Sequence, residues 1–253
     1  YHVLGQLGLA LSPARRLQGS VNAFKADQST NYATDTAVPA TPLRAYKARA
    51  KQGLTLDENE RTENLTTSLD FTDKNVLGSK MHAQVFWRDY TTVYSPFKRH
   101  NGTGKGPAIF QSFIESQKAG GRLEFDTLIS EKKSIIAVWG LDFIDETTSQ
   151  SGYVHDLATY TQSGGTVFQS TGQQRYWAPP YNIRSKAAFG QFEWQATDKM
   201  LWRAGVRREL IDVKVDDYIN ITNGAVTGGD LKYADTLFNI GVVYDVSDSV
   251  NVF

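Results

Sequence analysis

Segments in which apolar and polar residues alternate recur along the whole chain, and the stretches joining them are by turns very short and very long. A period of two belongs to a strand with two unlike faces. It predicts strands at residues 2–12, 18–28, 62–73, 80–94, 117–129, 134–146, 183–196, 201–215 and 234–246, with a tenth beginning near Asn251. Turns lie around Ser12–Arg16, Asp73–Gly78, Ser130–Lys133, Thr197–Met200 and Ser247–Ser249, whereas 29–61, 95–116, 147–182 and 216–233 are long connections of a kind compact domains seldom contain. In an antiparallel meander successive connections fall at opposite ends of the sheet. Strict alternation therefore gathers all short turns at one end and all long loops at the other.

The two faces of these strands differ in a telling way. Phe238, Ile240, Val242 and Tyr244 oppose Asn239, Gly241 and Asp245, and Leu65, Leu69 and Phe71 oppose Asn64, Ser68 and Asp70. Long strands, loops sorted by length and a densely polar second face predict an all-β fold: an antiparallel up-and-down transmembrane β-barrel, apolar toward lipid and polar toward a wet lumen. Phe192, Trp194, Trp202, Phe238, Ile240 and Val242 are expected outside, and Arg122, Glu124, Asp126, Gln191, Glu193, Arg203 and Arg207 inside. Trp194, Trp202 and Tyr244 fall close to short turns, where an interfacial aromatic girdle would sit.

Composition narrows the function classes. Lys and Arg number 27 against 27 Asp and Glu, which argues against a general nucleic-acid binder. No cysteine is present, so disulfide frameworks, thiolate zinc sites and cysteine nucleophiles are excluded. The longest apolar run, Ile135–Leu141, is far too short for a membrane-spanning helix. Gly102-Thr103-Gly104-Lys105-Gly106 lacks the Ser or Thr of a phosphate-binding loop, and His2, His82, His100 and His155 have no paired metal-ligand spacing. We therefore expect no enzyme, no catalytic residue and no protein-bound metal. His82, which shares a polar face with Gln84 and Arg88, is expected to line the lumen. The Asn101 and Asn220 sequons carry little weight in a bacterial barrel. Tyr1-His2-Val3-Leu4 reads as neither an initiator nor a signal peptide, so a fragment is expected.

Leu201-Trp202-Arg203-Ala204-Gly205-Val206-Arg207-Arg208-Glu209 and Leu237–Phe253 resemble barrel strands of TonB-dependent siderophore receptors, and Gly120–Phe125 with Val138–Asp142 resembles an earlier strand pair. Gly53–Asp57, Ala83–Asp89 and Val215–Tyr218 are similar to the ferric aerobactin receptor branch, whose substrates are citrate-hydroxamate chelates. The resemblance implies a bacterial outer-membrane transporter of about 22 strands around a plug, driven through the TonB complex. Residues 1–253 would be part of its barrel domain, with the plug and the strands at either end lying elsewhere. It implies a ferric siderophore and outer-membrane lipid as partners, and iron held only within the siderophore.

For such an anionic chelate, guanidinium donors and aromatic walls in the long loops are the expected ligands. The candidates are Arg44 and Tyr46, Arg99 and His100 in a run with Tyr94, Phe97 and Lys98, and Arg175, Tyr176 and Trp177 in a run with Tyr181 and Arg184. The competing readings are a passive outer-membrane pore or adhesin-like β-structure, and a soluble all-β domain.

Overall fold

The computed structural model describes residues 1–28, 32–35, 49–50, 55–99, 108–132, 134–247 and 250–253. Among these, ten strands follow one another in chain order across one antiparallel sheet: β1 (His2–Ala10), β2 (Arg15–Gln28), β3 (Glu60–Val76), β4 (Ser79–Val93), β5 (Ala108–Ser130), β6 (Ile135–His155), β7 (Ser170–Thr197), β8 (Met200–Val215), β9 (Gly229–Ser247) and β10 (Val250–Val252). Because sheet neighbours are also sequence neighbours, the joins alternate between ends as their lengths require. The tightest shows the local chemistry. Leu77 (φ 53) and Gly78 (φ 85) form the two-residue turn between β3 and β4, with left-handed conformations matched to the twist of the strands, and Asn75 accepts a hydrogen bond from the Gly78 amide at 3.0 Å.

Three strands reach nine or more residues further than their periodicity foretells. β5 begins at Ala108 rather than 117, β6 ends at His155 rather than 146, and β7 begins at Ser170 rather than 183. All three extensions lie at the long-loop end. Ile109 and Phe110 are both fully buried although they point to opposite faces, so Ala108–Ser116 mixes apolar and polar residues on both sides and shows no alternation. In β7, Pro179 and Pro180 imitate a loop. The ladder shifts register between Thr148↔Tyr181 and Gln150↔Ala178, so the prolines occupy a bulge where no amide donor is required.

Which face is concave follows from reach. Arg88 meets Glu146 at 3.4 Å across β5, and Arg207 meets Asp142 at 2.5 Å across β7. Side chains two strands apart converge in this way only on the inside of a curved sheet. Register puts Arg122, Glu124, Asp126, Gln191, Glu193 and Arg203 on the same inner face, with Glu193–Arg203 paired at 3.1 Å and Arg122–Asp142 at 2.7 Å. His82 faces inward as well, with Nε2 3.5 Å from Asp70. Phe192, Trp194, Trp202, Phe238, Ile240 and Val242 occupy the convex face, where Ile240 is 78% exposed.

The apolar belt crosses the hydrogen-bond rows obliquely. One row runs Leu9–Leu17–Phe71–Ala83–Leu123–Leu141–Ala188–Arg208–Thr236. On β2 and β3 it passes through the first apolar outward position above the short turn. On β9 it lies above Tyr244, Val242, Ile240 and Phe238. If the belt is level in the membrane, the strands must tilt, as a barrel requires. Above it, toward the long loops, the outward face turns ionic, with Lys25–Glu63 at 2.7 Å and Arg184–Asp145 at 2.8 Å.

The face assignment predicts asymmetric costs on one strand. In the full-length protein, Val21→Arg, outward in the belt, should lower unfolding stability in lipid vesicles by about 2–4 kcal/mol, whereas Gln18→Arg, inward, should change it by less than about 1 kcal/mol. Equal losses in urea titrations would contradict it.

Candidate functional site

Above the belt, β5, β6 and β7 continue upward and carry an aromatic cluster on their inner face. Phe110 comes from β5, Trp177 from β7, and Phe97 from a short strand, Phe97–Arg99, that pairs with the start of β5. Ring centroids are 6.3 Å apart for Phe97–Phe110, 5.8 Å for Phe97–Trp177 and 6.0 Å for Phe110–Trp177. The Arg175 guanidinium stands 5.8 Å over the Phe110 ring. Gly152 on β6 makes the cluster possible, because a Cβ there would come within 3.1 Å of the Trp177 indole nitrogen and 3.5 Å of Phe110. Phe110 is completely buried and Trp177 is 40% exposed, so the cluster has a rigid floor and an open rim.

A second, smaller core braces this region from outside. Ile109, Tyr160 and Phe168 are buried together, with Leu56 and Leu157 packed against them. The β6–β7 connection contributes a one-turn helix, Leu157–Gln162, whose first amides are capped by Asp156; its carboxylate accepts from the Thr159 amide at 2.7 Å, which holds its pKa below the usual carboxylate range. Val167–Phe168 then pairs in parallel with Thr55–Leu56 from the β2–β3 connection, and Asp57 accepts a hydrogen bond from the Ser170 amide. The Gln111 side chain adds two bonds, donating to the carbonyls of Glu58 at 2.8 Å and Tyr94 at 3.1 Å. Three long connections are thereby fastened to the top of β5.

The structure brings together parts of two runs singled out in the sequence, Phe97 from one and Arg175 with Trp177 from the other. Tyr176 turns to the opposite face, T-shaped against Tyr218 at 6.2 Å, and burial raises its pKa. Arg184 is outward and paired with Asp145. The backbone of Arg99 pairs with Ala108. Arg44, Tyr46, His100, the Gly102–Gly106 stretch and the Asn101 sequon lie outside the described residues. Asn220 organises the β8–β9 connection, its Oδ1 accepting from the amides of Thr222 at 3.0 Å and Gly224 at 2.9 Å. Among the described residues no cluster of three or more His, Asp or Glu could hold a metal ion. Sequence reasoning missed Phe110 and Gly152, since both fall in stretches read as loop. The available signal was the density of aromatics in 108–113 and 176–177.

A family model described as TonB dependent receptor-like, beta-barrel matches residues 6–253. The rhizobactin receptor of Rhizobium meliloti (strain 1021) is 24% identical over 269 residues, covering 99% of this chain and 35% of that protein. The ferric aerobactin receptor of Klebsiella pneumoniae is 26% identical over 262 residues, covering 97% and 35%. The chain thus spans about a third of the length of these curated relatives. Among solved structures, copper transporter OprC matches with a TM-score of 0.64 at 16% identity over 96% of this chain and 34% of that one. Ferric citrate transporter FecA in its unliganded form matches at 0.61 and 14% over 98% and 34%. These structures share the fold.

The bracing core carries a pH dependence. His155 closes β6 well above the belt and is 3% exposed, with its ring T-shaped against Phe168. Burial lowers its pKa below the ordinary 6.5, and Asp57 only partly offsets this. The locally unfolded form therefore takes up a proton first as pH falls, so the His155 contribution to the bracing is full above about pH 6.5 and weakens as pH falls below it. Hydrogen-exchange protection over 155–170, taken relative to the intrinsic rate at each pH, should fall as pH drops below about 6.5, and His155→Phe should remove that dependence.

Proposed function

Because the chain belongs to the TonB dependent receptor-like β-barrel family, an outer-membrane family, we propose that the protein it forms part of takes up a ferric siderophore of the citrate-hydroxamate class, captured at the loop-side mouth and driven inward through TonB. The observation that carries this reading is the convergence of Phe97, Phe110 and Trp177 with Arg175 on the inner face above the belt. A bulky chelate offers flat, weakly hydrated surfaces to aromatic rims and anionic oxygens to a guanidinium. Curated relatives are receptors for rhizobactin and ferric aerobactin, which favours this ligand class over others that the fold serves. The wall beneath suits a conduit: among the described residues inner cations and carboxylates interleave, Glu146 between Arg88 and Lys118, Arg122 between Asp142 and Glu124, and Arg207 between Asp142 and Glu209, so charge of one sign is not massed in one place. The plug and the segment that contacts TonB belong to parts of the protein beyond these residues.

Titration of the full-length receptor with ferric aerobactin tests the reading. Arg175→Ala should weaken binding by about 1–3 kcal/mol through loss of a charge-assisted hydrogen bond, and added salt should shrink the difference. Trp177→Ala should weaken it as well, while Trp177→Phe should retain most of the affinity. Unchanged affinity in Arg175→Ala and Trp177→Ala, with the barrel folded, would place capture elsewhere.

A further inference from the structure

On the outer face above the belt, a recess of about 390 Å³ runs lengthways along β5 and β6. Its direction follows from register. Glu115 closes the lower end, in the row of Thr91 and Glu63 where the outward face has already turned ionic. His155 closes the upper end, opposite Ile109. Positions 109 and 115 are about 20 Å apart along the strand. Carboxylates stand at both ends, Glu115 below and Asp57 above, where Asp57 accepts from the amide of Ser170 beside His155. Between them Phe113 and Tyr153 meet edge to face, with ring centroids 5.1 Å apart.

The charges along this recess do not cancel. Arg61 is its lining cation, and the adjacent Glu58 already holds it. Among the described residues Glu115 forms no ion pair, and the partner of Asp57 is a backbone amide rather than a cation. Exposed carboxylates alone would need no ligand. His155 does, because its side chain is 3% exposed and its Nδ1 is buried without a hydrogen-bond partner. Burial keeps the ring neutral, so with the proton on Nε2 this nitrogen is an acceptor waiting for a donor. A donor that also satisfies carboxylates is a cation. Among the described residues no three His, Asp or Glu converge, which leaves a metal ion short of ligands and favours an organic ammonium.

We propose that the recess binds a linear polyamine, with one terminal ammonium between Asp57 and His155, the other at Glu115, and the chain lying across Phe113 and Tyr153. The distance between the ends selects a long polycation over a short diamine, and the aromatic pair attracts the ammonium groups along its middle. Such a ligand ties the β2–β3 connection to β5 and β6 and so reinforces the brace.

The test is isothermal titration calorimetry of the full-length protein in dodecyl maltoside with spermine, putrescine and magnesium. Spermine should bind roughly tenfold more tightly than putrescine, because only the longer chain reaches both ends at once. Glu115→Gln and Asp57→Asn should each weaken spermine about three- to fivefold, and together roughly tenfold or more. Asparagine keeps an acceptor for the Ser170 amide, so the connection stays fastened. Bound spermine should slow hydrogen exchange at 55–58 and 167–170, and should not do so in the double variant. Three results would overturn the proposal: equal affinity for spermine and putrescine, displacement of spermine by equimolar magnesium, or unchanged affinity in the double variant, which would assign the binding to other anions such as copurified lipid phosphates. Heat-modifiable migration reports folding. Should the double variant fail to fold, Glu115→Gln alone decides, because among the described residues that exposed carboxylate makes no hydrogen bond whose loss could unfold the wall.

Discussion

Hydrocarbon offers no water to the peptide group, so a chain that crosses it must pair every amide and carbonyl with itself. Everything else in this structure depends on that constraint. It forces the strands into continuous ladders from Leu9 to Thr236, fixes the up-and-down order, and leaves tight turns such as Leu77-Gly78 as the only economical joins at one end. Among the described residues the ladder remains open at β1 and at β10, so the wall is an arc. Once pairing is fixed, side chains divide by parity, and a single slip would turn Ile240 into the lumen and Asn239 into lipid.

The two faces solve different electrostatic problems. Inside, charges are dense but mutually satisfied, and the two-strand reach of Arg88 to Glu146 and Arg207 to Asp142 exploits the curvature that brings inner side chains together. Outside, the belt excludes charge until its upper border, where ion pairs such as Arg184–Asp145 mark the return to water. Among the described residues Lys186 and Arg208, outward on β7 and β8, have no carboxylate partner and depart from that pattern, as the aromatic cluster departs from the polar lining on the inner wall.

This division explains what the sequence disclosed. Within the belt one face meets lipid and the other water, so alternation is strict, and strand existence, face and connection order could all be read from parity. Above the belt both faces of β5 meet protein, as Ile109 and Phe110 do, and the period-two signal vanishes although the ladder continues. The prolines of β7 conceal a strand because a bulge removes the need for their missing donors. Aromatic and basic runs in the loops were visible as composition. That Arg175 and Trp177 share a face while Tyr176 does not is plain alternation; what no local pattern records is that these residues continue a strand past two prolines and that Phe97 meets them from beyond β5 and β6.

The oblique course of the belt across the ladder rows has a mechanical meaning. When rows wind around the wall as shallow helices, the bore is set by strand number and by the total register offset, both of them integers. Such a tube cannot dilate by degrees. Widening it would require whole strands to slide past their neighbours in two-residue steps, breaking an entire ladder at once, since any odd step would turn lipid-facing side chains inward. The wall therefore acts as an inextensible hoop, and whatever opens a path through its lumen must do so by rearranging what lies inside.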